Sequence, residues 1–232
     1  MTRLRPVAVA LMLVAALALS GCGGSSKADL SNLSATKLLA KSKAAIGGKE
    51  DVQISGAGSD GGNSVGIDLS YVGNDASGTV KLGNAEITLL TVGDGAWFKA
   101  SDEFWKSQFS AKQATAVIAV VNGRWIKVDP TDASFKDMFS LAHRSGLDTG
   151  LLDPNGSITK DKAKTIAGVP CLALKSSSGI LYVDKANARP MEIDDATGNS
   201  SKLTFSYKNE AAPTAPAAKD VLDYSELAGA TQ

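Results

Sequence analysis

The spacing of apolar residues changes period along the chain. A continuous apolar run, "VAVALMLVAALAL" (7–19), comes first. After a polar stretch, "SATKLLAKSKAAI" (34–46) sets Leu38, Leu39 and Ile46 on a partial stripe. Ser34 stands where a helix cap is needed, and Gly47 and Gly48 stand where the helix must stop, so 34–46 is predicted helical. From residue 52 the period drops to two. In "SVGIDLSYVG" (64–73), Val65, Ile67, Leu69 and Tyr71 alternate with Gly66, Asp68 and Ser70, the pattern of a half-buried strand. "VQISGAG", "GTVKLG", "AEITLLTVG" and "AWFKA" are further short strands, separated by Gly, Asn and Asp turns such as "GNDASG" and "GNAE". Strands joined so closely must be antiparallel, because a parallel pair needs a crossover of roughly a dozen residues or more.

The middle of the chain returns to helical spacing. "SDEFWKSQF" (101–109) has a capping serine and acids in its first turn, and "AKQATAVIAVV" (111–121) is Ala-rich and apolar at its end. "GRWIKVD" (123–129) reads as a strand. "DASFKDMFSLA" (132–142) places Phe135, Met138, Phe139 and Ala142 at i, i+3, i+4 and i+7, which predicts a helix. "SGLDTGLLDPNG" (145–156) predicts a short helix ending in a Pro-Asn-Gly turn. The last third is strand-like again: "SITKDKAKTIAG", "VPCLALKSS", "GILYVDK", "RPMEIDDA" and "KLTFSYKN". A Pro/Ala connector, "AAPTAPAA" (211–218), leads into a polar tail carrying Leu222, Tyr224 and Leu227.

Runs of strands followed by runs of helices point to an α+β fold. The alternation asks for one antiparallel sheet whose apolar face is covered by the middle helices and the N-terminal helix. A long antiparallel sheet curls, so the expected architecture is an incomplete β-barrel with helices packed in its concave face. A hollow in that face would be lined by inward strand and helix positions. The candidates are Val65, Ile67, Leu69, Val80, Leu82, Ile87, Leu89, Phe98, Val117, Val120, Phe135, Phe139, Leu203 and Phe205. Each of them also serves as ordinary core. The Gly-rich turns near 58–63 and 73–78 are placed to open and close over an entrance.

The apolar opening run changes the picture of location. It follows Arg3 and Arg5, is shorter than the roughly 20 residues of a membrane span, and ends in the small residues Ser20 and Gly21. Residues 1–21 are therefore expected to be a signal peptide. "LSGC" (19–22) reads as a bacterial lipobox, with Cys22 the acylated first residue of the mature chain, carrying palmitate-type chains. Two acyl chains give stable anchoring where one does not. Residues 22–32 then form a lipidated, flexible tether, 33–210 the folded domain, and 211–232 a connector and tail. The predicted localisation is the extracytoplasmic face of the cell membrane.

Composition mainly excludes. The chain has 24 basic and 24 acidic residues; loss of residues 1–21 leaves 22 and 24, with no basic patch for nucleic acid. Of the two cysteines, Cys171 alone remains beside Cys22, so no internal disulfide is available and the fold rests on its core. The single histidine, His143, has no "GxSxG" partner and reads as a surface residue near a helix end. Cys171 alternates with Val169 and Ala173 and reads as core. "GSDGGNS" (58–64) matches no calcium loop and reads as a hairpin turn. No "GxxxxGK[ST]" motif is present, so a nucleotide site is not expected. No enzyme activity, metal or cofactor is expected.

Aromatic residues make up 6% of the chain, yet Trp97, Phe98, Phe104 and Trp105 fall within eleven residues and Trp125 follows. They form either a wall for an apolar ligand or a seal between sheet and helices. Taken with "LSGC", "SATKLLAKSKAAI", "VQISGAGSDGG…VGIDLSYVG", "GDGAWFKASDEFWK" and "NGRWIKVDPTDASFKDMFSL", this order of elements resembles the LppX/LprG group of actinobacterial lipoproteins, and more remotely the LolA/LolB carriers. The likeness covers about residues 30–210. It implies the incomplete barrel, a lipid or lipid-linked ligand held in its hollow, carriage of that ligand across the cell envelope, and an envelope transporter as partner. The Gly- and Ser-rich strands depart from that pattern. The competing reading is an interaction or sensor module of an envelope complex, with the same fold and a filled core; an exported hydrolase is a third.

Overall fold

In the computed structural model, residues 29–227 are described, apart from Lys49, Gly61, Asn155 and residues 196–200. Cys22, the apolar run and most of the tether lie outside the described residues. Helix α1 (Ala35–Ile46) begins where Ser34 accepts a hydrogen bond from the Lys37 amide. A five-strand meander follows: β1 (Val52–Asp60), β2 (Asn63–Val72), β3 (Asp75–Leu82), β4 (Ala85–Val92) and β5 (Gly95–Ala100). Three of its turns are two residues long, opening at Gly73, Gly83 and Gly93 with positive φ on that first residue. That is the II′ pattern, whose twist matches the flanking strands.

Helices α2 (Asp102–Gln108) and α3 (Ala111–Val121) leave the sheet before β6 (Trp125–Val128) re-enters it. Then come α4 (Lys136–Ser140), α5 (Arg144–Gly146) and a π-type turn, Leu147–Leu151. The predicted helix over 132–142 is thus reduced to α4. Asp129 and Asp132 accept hydrogen bonds from the amides of Thr131 and Ser134, holding that stretch in turns. Strands β7 (Thr159–Ile166), β8 (Val169–Lys175), β9 (Gly179–Asp184), β10 (Pro190–Asp195) and β11 (Lys202–Ser206) form a second meander.

The chain closes with β12 (Val221–Asp223) and α6 (Tyr224–Leu227). This corrects the expected tail: Leu222 and Leu227 are core residues, so the domain runs past 210 to at least Leu227. Two apolar side chains on a short amphipathic segment are enough to bury it against a waiting edge.

All twelve strands belong to one sheet, ordered β12-β6-β5-β4-β3-β2-β1-β11-β10-β9-β8-β7. Every pairing is antiparallel except β12 on β6, which the long crossover from β11 makes parallel. The edges β12 and β7 do not meet, so the sheet is curled and unclosed. The expected α+β incomplete barrel is the fold observed. Its concave face carries two apolar clusters. One joins β4–β6 to α2, α3, α4 and α6 around Phe98, Trp105, Val117 and Phe139. The other joins β1, β2, β8, β9 and β11 to α1 and the π turn around Leu38, Leu69, Tyr71 and Phe205. Cys171 is buried in a smaller cluster with Ala173 and Tyr182 on the convex side, alternate in register to Leu172 and Leu174.

Candidate functional site: an apolar groove under helix α1

Burial along β2 falls from one end to the other. Leu69 and Tyr71 are buried, whereas Ile67 and Val65 are only partly so. At the open end β2 pairs Val65 with Leu82 of β3 and with Gly58 of β1. Leu82 is 50% exposed, the most exposed large aliphatic side chain described. Here the concave face holds a hollow of about 410 Å³ lined by Gly56, Gly58, Val65, Ile67, Leu82, Ile193 and Leu203, with Asp195 and Lys202 at its edge.

A second hollow, about 290 Å³, adjoins it under Leu39 of α1, Leu151 at the end of the π turn, and Leu152 and Pro154 beyond it; Leu174 and Leu181 also line it. The two share Ser178, Ile193 and Leu203. Together they make a groove with an aliphatic floor and a polar rim of Asp153, Ser176, Ser178, Asp195 and Lys202.

Glycine opens the floor. Gly56 faces Leu203 of β11, and a Cβ there would lie 2.0 Å from the Lys202 carbonyl oxygen. Only glycine permits this approach of the two backbones. Gly58 is similar, with Ser201 Oγ 2.5 Å from where a Cβ would stand. Two inward positions of β1 therefore carry no side chain, β11 closes in on them, and both border the groove.

The roof is pinned at the opposite end. Arg144 is 6% exposed and donates to four backbone carbonyls: Gly73 at 2.7 Å, Gly48 at 2.7 Å, Ile46 at 3.1 Å and Tyr71 at 3.3 Å. Its charge sits on the C-terminus of α1, where the helix dipole favours a cation. Burial lowers its pKa, opposed by Asp51 and the tyrosines, and it stays a cation. Tyr71 donates its hydroxyl to the Leu141 carbonyl, and burial raises its pKa. Thr91 donates to the Ala142 carbonyl at 3.2 Å and accepts from the Ala76 amide at 3.0 Å. These three side chains fasten the stretch between α4 and α5 to both the sheet and α1, so the roof is fixed at one end and the groove opens at the other.

The sequence-derived lining separates into three sets. Val65, Ile67, Leu82 and Leu203 line the groove. Phe98, Val117 and Phe135 line a different hollow, about 340 Å³, among α2, α3, α4 and α6. Leu69 and Phe205 are filled core of the α1 half, Ile87, Leu89 and Phe139 are filled core of the helical half, and Val80 and Val120 pack against the latter. A single cavity through all these positions is corrected: the helices fill the middle of the concave face. Ile193, Leu181, Leu174 and Leu39 line the groove without having been singled out, although "MEID" and "GILYV" carry the same alternation. Arg144 had no sequence signal beyond its place beside His143. The turns near 58–63 and 73–78 separate too. The first borders the groove, while Gly73 is held by Arg144 at the closed end.

No protein-family model matches the chain, and no curated protein matches it. Among solved structures the chain is similar to LprF from Mycobacterium bovis, at 16% identity and a TM-score of 0.47, over 78% of this chain and 96% of that one. It is also similar to an uncharacterized conserved protein from Thermus thermophilus (11% identity, TM-score 0.39, 82% and 98% covered). A third is a DUF1329 family protein from Desulfovibrio piger (9% identity, TM-score 0.28, 75% and 90% covered). These are likenesses in the course of the chain.

Proposed function

We propose that this protein is an extracytoplasmic lipoprotein that holds one apolar chain of a lipid or lipid-linked molecule in the groove under α1. The observation that carries the reading is the pair of adjoining aliphatic hollows that share Ile193 and Leu203 and open at a polar rim. Their volumes, about 290 and 410 Å³, stand at the lower end of the roughly 300–1,000 Å³ of small-molecule pockets. That size suits a single tail better than a many-chained lipid. The rim supplies serine hydroxyls and two carboxylates for a headgroup, Asp153 being paired with Lys43 at 2.6 Å, while the Lys202 ammonium turns to Glu192 and Asp194 on the other face. Anchoring through acylated Cys22 follows from "LSGC".

The fold supports a direction of access. Asp29, the first described residue, pairs with Lys185 just beyond one end of β9, and the groove takes in Gly179 at the other. Five residue steps of strand, about 17 Å, separate them. A tether leaving at Asp29 therefore holds the groove mouth away from the membrane, accessible to a partner that loads or empties it. Transfer of the bound molecule across the envelope to such a partner is the activity this arrangement serves.

The test uses protein lacking residues 1–22, purified from an actinobacterial host and extracted with organic solvent for mass spectrometry. A co-purified lipid is expected, and delipidated protein is expected to bind a fluorescent fatty acyl probe. Leu203→Trp, which fills the shared part of the groove, should weaken probe binding at least tenfold. An intact fold with no bound lipid and no probe binding would favour the interaction module instead. Separately, Cys22→Ala should release the protein from the membrane fraction of the same host; retention there would sink the anchor.

A further inference from the structure

The hollow among α2, α3, α4 and α6 shares no lining residue with the groove. Its chemistry also differs. Six rings line it, those of Phe98, Phe104, Trp105, Phe109, Phe135 and Tyr224, out of thirteen Phe, Tyr and Trp residues in the chain. They form a linked set. Phe98 stands 6.1 Å from Trp105 and 6.0 Å from Phe135, Trp105 stacks on Phe109 at 6.3 Å, and Phe135 meets Tyr224 edge-on at 4.6 Å. The deep wall is core: Phe98, Trp105, Val117, Phe135 and Leu227 are all buried. The mouth is Gln108, Ser134 and Tyr224, all exposed.

The rings therefore seal the helices to the sheet and still leave about 340 Å³ unfilled. An apolar void costs stability, and water gains little in it because the only polar groups stand at the mouth. No charged side chain lines it, whereas the groove has Asp153, Asp195 and Lys202. The volume exceeds the roughly 150 Å³ that admits benzene. Exposed ring faces and edges favour another ring over a saturated chain, and Met138 adds a polarizable sulfur to the wall.

We infer that this hollow is a second binding site, for a neutral, ring-bearing apolar molecule of about two fused rings, whose polar end meets Gln108 and Ser134. It does not depend on the acyl-chain reading of the groove. Part of its wall is α6, so the C-terminal arm completes the site. Trp105 in the wall reports occupancy through its emission.

N-Phenyl-1-naphthylamine, a neutral two-ring probe, is the ligand for the test, titrated against delipidated protein lacking residues 1–22, with excitation of tryptophan and detection of energy transfer. Binding with energy transfer is expected, and Trp105→Phe should lower the transfer while retaining binding, Trp97 and Trp125 supplying the remainder. Val117→Phe fills the hollow and should weaken binding at least tenfold; Gln108→Trp, on the exposed rim, does the same without burdening the core should Val117→Phe fail to fold. Leu203→Trp should leave this probe's affinity unchanged while weakening the acyl probe's at least tenfold. Absence of binding by the unmodified protein overturns the inference. So does loss of naphthyl binding in Leu203→Trp with retention in Gln108→Trp, since the probe would then occupy the groove. Failure of the acyl probe alone counts only against the groove.

Discussion

The two halves of the concave face are covered differently. Over β4, β5 and β6 the cover is thick: three helices and the C-terminal arm, knit by aromatic rings around Phe98 and Trp105. Over β1, β2 and the second meander the cover is a single helix, α1, with the π turn beside it, on an aliphatic floor interrupted by Gly56 and Gly58. Ring packing in the first half leaves among the helices a hollow lined by no charged side chain. The second half is shut where Arg144 ties down the end of α1, and gapes where β2 begins, at Val65, beside Leu82 at the end of β3. Where cover is thin and pinned at one end, a long chain can slide in without disturbing the core. Where cover is thick and aromatic, only a compact ring finds room.

The comparison can be broken most sharply in the filled core. Phe139 is fully buried in the helical half, and Phe139→Ala should cost about 3–5 kcal/mol in a denaturant melt, while acyl probe binding by the folded fraction stays intact. Arg144→Met tests the pin. It strands carbonyls of Ile46, Gly48, Tyr71 and Gly73 and should cost on the order of 3 kcal/mol. Amide hydrogen exchange should then rise in α1 and not in α3; equal protection in both would show that Arg144 does not hold the roof. Gly56→Ala forces a Cβ against the Lys202 carbonyl and should destabilise by about 1–3 kcal/mol, through separation of β1 from β11.

A smaller effect comes from the outer face. Lys164 bonds Glu192 at 2.5 Å and Asp194 at 2.9 Å, with Lys202 beside both, and so ties the edge strand β7 to β10 and β11. Burial pushes the Asp194 carboxyl up, but the hydrogen bond from the Lys164 ammonium and the charges of Lys164 and Lys202 outweigh it and hold the pKa below the usual aspartate range. A lowered folded pKa gives stability that is present above the unfolded value, near 3.9, and lost as pH falls through the folded one. Melts of the parent and Asp194→Asn should differ by about 0.5–1 kcal/mol at pH 6 and converge as the pH is lowered toward 2. A constant difference across that range would remove Asp194 from the network. Least of all, Leu82→Lys should change stability by no more than about 0.5 kcal/mol, because the side chain is half exposed. It should still weaken acyl binding.

Much of the fold was legible because its signals are local. The alternation in "SVGIDLSYVG", the Gly-Asn and Gly-Asp turns, and the serines ahead of α1 and α2 each act within a few residues. The groove was legible only in part. Val65, Ile67, Leu82 and Leu203 follow from inward alternation, but so do Leu69 and Phe205, which packing fills. Periodicity names the face of a strand and cannot say how far along it the cover extends. The helix expected over 132–142 shrank because side-chain carboxylates took backbone amides ahead of it, a competition that hydrophobic spacing does not register.

The amino-acid order alone determined an antiparallel, half-covered sheet, and it carries the apolar run and "LSGC" on which the proposal of export rests, since each depends on neighbours in the chain. Tertiary structure decided the rest. Arg144 reaches partners 71 to 98 residues away, the C-terminal arm returns to the far edge beside β6, and Ile193 meets Leu39 across the groove. Contacts at such separation are selected by the shape of the whole sheet, and whether inward side chains leave a hollow or fill it is settled only when both walls are in place.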